Sequence, residues 1–232
     1  VTVNQKLVLF DIDETMISSD GAGRRALARA LREQHDIPEE HTRISMSGKT
    51  DPQILMEIFT AHGYEKAKAL SHIDELIACY LTYLEEEMRA SQTLILHKGV
   101  VAILERLAAD ENCYLGLLTG NVEIGARKKL DFFNLNGYFP IGAYGSDSAN
   151  RLDLPHVAVG RALTHFQREF APPHVVIVGD SVNDIACAHG YGASVIAVNT
   201  GKTSWQELAD CKPQHLFQNL VDTEAVYQAV FN

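Results

Sequence analysis

Four short runs carry no charged residue and are apolar at nearly every position: residues 7–10, 114–118, 175–178 and 195–198. Each is apolar on both faces, as a central parallel strand must be when helices cover both sides of its sheet. Weaker runs at 141–144 and 215–217 predict two further strands. Between them, residues 100–109, 122–133 and 157–170 place apolar side chains at helical spacing. Strand alternating with helix predicts an α/β fold, a Rossmann-like doubly wound parallel sheet. Ligands bind such sheets outside the carboxyl ends of the strands. The polar residues that follow each run therefore share a predicted location.

The interval 18–93 breaks this alternation and reads as helices throughout. Asp20 is expected to cap the first helix, which ends near Gln34. Thr50 or Asp51 caps the second, with Pro52 in its first turn and Gly63 past its end. The third covers about 65–89, with Ile73, Leu76, Ile77, Tyr80, Leu84 and Met88 on one stripe. The interval is read as an α-helical cap domain, 18–93, inserted into a catalytic core formed by 1–17 and 94–232. A cap over the carboxyl edge excludes water and selects substrates.

Composition narrows the function. A net charge of -10 argues against a non-specific nucleic-acid binder, which needs basic patches. Cys79, Cys113, Cys187 and Cys211 are widely spaced and form no zinc pattern. Cys113 and Cys187 stand in apolar contexts and are expected to be buried thiols. No run of about 20 apolar residues suggests a membrane span. A cytoplasmic protein, monomeric or homodimeric, is the simplest expectation.

The candidate chemistry sits at the strand ends. Asp11 and Asp13 follow the first run two residues apart, so their side chains project the same way from an extended chain. Two such carboxylates repel unless a cation lies between them. Magnesium, which prefers oxygen ligands, fits that role. Gly179-Asp180-Ser181-Val182-Asn183-Asp184 places a second acidic pair after the third run. Thr119-Gly120-Asn121 follows the second, where a hydroxyl and backbone N–H groups at a helix start can bind an anion.

These three segments together resemble the haloacid dehalogenase superfamily, whose members are mostly phosphatases. Asp11, Asp13 and Thr15 match its D-x-D-x-T signature, Thr119 its second motif, and Asp180 and Asp184 its G-D-x-x-x-D motif. The helical insert lies where phosphoglycolate-phosphatase-like members carry a cap. The resemblance implies that Asp11 is a nucleophile forming an aspartyl-phosphate and Asp13 is the acid/base. It implies Mg2+ held by Asp11, the backbone carbonyl of Asp13, and Asp180, with Asp184 supporting them. Thr119, Gly120 and Asn121 would bind phosphoryl oxygens of a small phosphomonoester. The family's third motif is usually a Lys. Here Arg151 is the best candidate for its place, ahead of Arg161 and Lys128.

Three other features weigh less. Ser47-Gly48-Lys49-Thr50 looks like the end of a nucleotide P-loop, but Arg43 stands where that loop needs glycine. Lys49 is instead expected to meet substrate from the cap. Lys128-Lys129 is read as the outer face of a helix, and the ten histidines show no metal spacing. The same acids would also serve a sugar phosphomutase, and a non-catalytic phosphate-binding module is the alternative of a different class.

Overall fold

The computed structural model describes residues 4–232. Its main sheet contains β1 (Lys6–Phe10), β4 (Cys113–Leu118), β5 (Ile141–Ala143), β6 (Val175–Gly179), β7 (Ser194–Val198) and β8 (His215–Phe217). They run in the order β5-β4-β1-β6-β7-β8 and every pair is parallel. All four long runs and both weak ones are strands.

Alternation along each strand divides the core into two layers. Val8, Phe10, Val176, Val178, Ile196 and Val198 face a cluster completed by α4 (Val100–Ala108), α5 (Glu123–Asp131) and α9 (Thr223–Phe231). Leu7, Leu9, Val175, Ile177, Val195 and Ala197 face another, completed by α6 (Leu154–Phe166), α7 (Val182–Tyr191) and α8 (Trp205–Asp210). Residues 7–10 have no exposed surface, so each of their side chains contributes on the order of 1.5–3 kcal/mol of burial. This explains why the central strands are apolar on both faces.

Register then places the site. Phe10 lies opposite Leu117 on one side and Val178 on the other. The sheet order reverses at β1, since the chain moves outward to β4 and β5 before returning to β6. Such a reversal opens a crevice at the carboxyl edge. Asp11, Thr119 and Asp180, one or two residues beyond the paired positions, converge there.

The interval after β1 holds α1 (Ala22–His35), α2 (Asp51–Ala61) and α3 (Lys66–Ala90). They enclose an apolar cluster of their own, including Leu31, Leu55, Phe59, Leu76, Leu84 and Met88. The two crossings pair as a short antiparallel ribbon, β2 (Ile17–Ser18) with β3 (Ile95–Leu96). A strand thus begins the stretch expected to be wholly helical. Asp20 does not cap α1: Gly21, at φ 71°, takes that position, and the Asp20 carboxylate accepts from Ser91 Oγ instead. Thr50 does cap α2, accepting from Gln53 N at 3.2 Å. Helix α6 starts and ends earlier than its apolar spacing suggested, because Pro155 fits its first turn and Gln167 adopts a left-handed conformation. Cys187 is buried, whereas Cys113, near the start of β4, is only partly covered. No described helix is long and apolar enough to cross a membrane.

Candidate active site

Asp11 leaves β1 with its backbone N–H bonded to Val178 O at 2.9 Å, which keeps it in strand geometry beyond the last paired residue. Its carboxylate groups with those of Asp180 and Asp184, one oxygen from each lying within 4.8 Å of the others. All three residues are buried. Burial first, then repulsion from Asp184 and Asp13, pushes the Asp11 carboxyl up to about 7, against the pull of Arg151. Burial, with Asp184 and Asp11 adding to it, also raises Asp180 well above the carboxylate range. Thr15 moderates that rise by donating from Oγ1 to Asp180 Oδ1 at 3.1 Å. Three buried carboxylates, all hard oxygen donors, with Asp11 and Asp180 resisting ionisation, fit a small divalent cation.

Asp184 is the most constrained of the three. It belongs to the N-terminal capping box of α7, where its Oδ2 accepts from Ser181 N and Ser181 Oγ. Its Oδ1 accepts from Arg151 Nη2, which also reaches Asp11 Oδ1 at 3.2 Å. Arg151 lies on a 3-10 turn ahead of α6, with Asn150 Oδ1 accepting from Leu152 N. Arg151 is 5% exposed, and its Nε has no hydrogen-bond partner. Burial opposes its charge, but Asp184 and Asp11 outweigh that and hold it protonated. Of the three cations considered for this place, only Arg151 is in the site. Arg161 pairs with Asp147, and Lys128 with Glu85.

The Asp13 carboxylate is not part of this acidic group. Both of its oxygens accept from Lys129 Nζ, at 2.8 and 2.7 Å, and Asn121 Nδ2 donates to Oδ2 at 2.7 Å. Lys129 also donates to Asn121 Oδ1 at 2.7 Å. Asn121 Nδ2 bonds Thr119 Oγ1 at 2.9 Å, so the second strand end and Asp13 form one network. Lys129 was expected on the outer face of α5. The structure corrects this: Lys128 faces outward and Lys129 is 4% exposed. The signal lay in the helix itself. Ala126 and Leu130 are buried, and position 129 shares their face.

The segment 47–51 docks on the core. Asp51 N donates to Gly120 O at 2.8 Å, and Asp51 Oδ2 accepts from Val122 N at 2.9 Å. Thr50 Oγ1 donates to Ala149 O, and Asn183 Nδ2 donates to Ser47 O. The approach is close enough to require glycine twice. A Cβ on Gly120 would lie 2.0 Å from Lys49 O, and one on Gly48 would lie 2.4 Å from Ser181 Oγ. Burial raises the Asp51 carboxyl to about 6, although Lys129 and the Val122 amide pull it down. Asp51 was anticipated only as a helix cap, and its docking to the core requires the folded chain to be seen.

A cavity of about 440 Å³ joins these groups. Asp11, Asp13, Asp180, Thr119, Gly120, Asn121, Lys129 and Arg151 line its floor; Lys49, Asp51 and Tyr80 contribute from the helical insert. Lys49 Nζ is ion-paired with Glu57. All the residues anticipated as functional except Asp184 line this space, and Asp184 lies behind it, bonded to Arg151. The site can combine a carboxylate nucleophile, a second carboxylate in reach, an anion-binding turn and a buried cation.

Comparison with known proteins bears on the fold and the family. Three solved structures share the fold along almost the whole chain. A predicted phosphoglycolate phosphatase from Haemophilus somnus 129PT is 20% identical, with a TM-score of 0.70 over 98% of this chain and 100% of its own. CbbY from Rhodobacter sphaeroides, solved with phosphate, is 18% identical, with a TM-score of 0.72 over 94% and 96%. A hydrolase from Pseudomonas syringae is 19% identical, with a TM-score of 0.68 over 96% and 97%. A sequence search of curated proteins gave no match. Residues 8–198 match the sequence model of the haloacid dehalogenase-like hydrolases, a span that begins in β1 and ends with β7. With its three strand-end motifs converging on one cavity, the chain belongs to the haloacid dehalogenase-like hydrolase family.

Proposed function

We propose that the protein is a Mg2+-dependent phosphatase that hydrolyses a small organic phosphomonoester through an aspartyl-phosphate on Asp11. The observation that carries this reading is the grouping of Asp11, Asp180 and Asp184 beside Arg151 and the Thr119 turn. Asp11, Asp180 and the backbone carbonyl of Asp13 would hold the metal, with Asp184 supporting them. Bound there, Mg2+ would offset the charge of the carboxylates and of the phosphate.

In the first half-reaction an Asp11 oxygen attacks phosphorus and the ester P–O bond breaks. Asp13 delivers a proton to the departing alkoxide. In the second, Asp13 takes a proton from water while that water's oxygen attacks phosphorus. The bond to Asp11 breaks, and inorganic phosphate is released. Thr119, Gly120 and Asn121 bind the phosphoryl oxygens. Arg151 offsets charge beside Asp11, in the place where the family usually has Lys. Lys49 faces the substrate from the cap domain, residues 18–93.

The test is phosphate release from a panel of phosphomonoesters, with Mg2+, with chelator, and with Asp11→Asn. Metal-dependent release that disappears in the variant is the expected result. Isomerised sugar phosphate without net phosphate release would mean a mutase. Phosphate binding without turnover of any ester would mean a binding module.

A further inference from the structure

The cavity has two unlike ends. Its floor is the charged strand edge already described. Its upper wall, contributed by the helical insert, is Leu27, Ile44, Met46, Ile54, Leu55 and Ile77. Leu27, Ile54 and Leu55 belong to the insert's own apolar cluster, so this wall is rigidly backed.

The charged side chains within the insert's part of the lining are engaged, Asp51 by the Val122 amide. The Arg24 guanidinium bonds the backbone carbonyls of Thr42 and Ile44. Lys49 is neutralised by Glu57. Lys129, below the wall, is fully occupied by Asp13 and Asn121. Arg43, Ser45 and Lys202 are exposed and stand at the solvent rim. Tyr80 is 5% exposed, with its hydroxyl close to Lys129: both lie within 4 Å of the point a Cβ on Gly23 would occupy.

A polyol or sugar entering this space would lose water from several hydroxyls and, inside the rim, meet only the hydroxyls of Ser19, Ser47 and Tyr80 from the insert, set among apolar side chains. Each such loss costs more than it returns. A hydrocarbon body would instead gain by leaving water. The volume, about 440 Å³, suits a ligand larger than a two-carbon acid phosphate.

We infer that the alcohol half of the substrate is predominantly apolar: the protein acts on an alkyl or aryl phosphomonoester in preference to a sugar, polyol or nucleoside phosphate. This rests on the phosphatase reading, with the phosphate at Asp11 and the carbon body against Leu27, Ile54 and Ile77. The Tyr80 hydroxyl supplies one polar contact near the ester oxygen.

The test uses two matched series with Mg2+ present. The first is hydrolysis of n-alkyl phosphates from methyl to octyl, beside polyol phosphates of equal carbon number. The value of kcat/KM should rise about fourfold per methylene, equivalent to ~0.8 kcal/mol, until the cavity is full. Hexyl phosphate should exceed a hexitol phosphate by about 100-fold or more. In Ile77→Asn, at a half-buried position, the rise should flatten to less than about twofold per methylene. Equal or better turnover of the polyol series would overturn the inference while leaving the phosphatase reading intact. The second series measures binding of non-hydrolysable n-alkylphosphonates by calorimetry. If no ester of either kind is hydrolysed, the phosphatase reading fails, and this series still decides the character of the pocket. Affinity that climbs with chain length supports an apolar ligand, and affinity independent of chain length refutes it.

Discussion

Replacing Lys129 with Met removes three short hydrogen bonds while keeping most of the side chain's length and apolar stem. Two of the bonds hold Asp13, at 2.8 and 2.7 Å, and the third holds Asn121 at 2.7 Å. The acceptors left behind are not equally exposed. Asn121 is 6% exposed, so its Oδ1 would lose a partner where little water can reach. The Asp13 side chain is 35% exposed and can be rehydrated from the cavity. The cost therefore falls below that of breaking a fully buried pair, at about 2–3 kcal/mol. In a chain of this length that lowers Tm by about 4–12 °C. The effect on turnover should be larger. Asp13 would keep only its Asn121 contact and lose its fixed orientation. A misplacement of about 1 Å can cost on the order of 100-fold in kcat. The assay is Mg2+-dependent phosphate release under saturating ester, read beside thermal denaturation. KM should stay within about threefold, because ground-state binding does not run through Asp13 and Asn121 keeps its bond to Thr119. The double variant Asp13→Asn/Lys129→Met should be at most about threefold slower than Asp13→Asn alone, since Lys129 acts mainly through Asp13 and only its single bond to Asn121 is left to lose. A folded Lys129→Met protein with wild-type kcat would refute the reasoning.

Further tests address the acidic group and the docking of the insert. Burial places the Asp11 carboxyl at about 7, above its ordinary 3.8, so the folded protein binds a proton that the unfolded chain has released across that interval. Metal-free stability should accordingly fall as pH rises from about 4 to about 7, and Asp11→Asn should remove much of that slope. A slope unchanged in the variant, measured by chelated melts, would contradict the assignment. Stabilisation by Mg2+ should grow over the same range, since binding requires the ionised carboxylates; equal stabilisation at pH 5.5 and pH 8 would count against a carboxylate-held metal. Arg151→Met leaves three buried carboxylates without their cation and should cost about 3–5 kcal/mol, partly recovered by Mg2+ in a calorimetric scan. Gly120→Ala would drive a methyl group to 2.0 Å from Lys49 O; it should separate 47–51 from the core and lower kcat/KM at least tenfold, and unchanged kcat/KM in a folded variant would contradict the docking.

The sequence by itself determined the class of fold, the strands of the main sheet and the positions of its acids at the strand ends. Burial on both faces demands uninterrupted apolar runs, and such runs are visible without coordinates. The residue after each run must then lie at the carboxyl edge, which is why Asp11, Thr119 and Asp180 could be named together. Arg151 was a choice among three cations that only packing could settle. The helix pattern put position 129 on the buried face, but a Lys-Lys pair ordinarily faces water, and the groups that receive the Lys129 ammonium, Asp13 and Asn121, lie 116 and 8 residues away. Likewise, Asp51 reads locally as a helix cap, and its hold on Val122 spans 71 residues. The apolar wall above the phosphate site was legible only as the core of a helical insert. Tertiary structure decided which of those side chains also border the cavity, because a helix pattern fixes the buried face but not the gap it leaves against a neighbouring element.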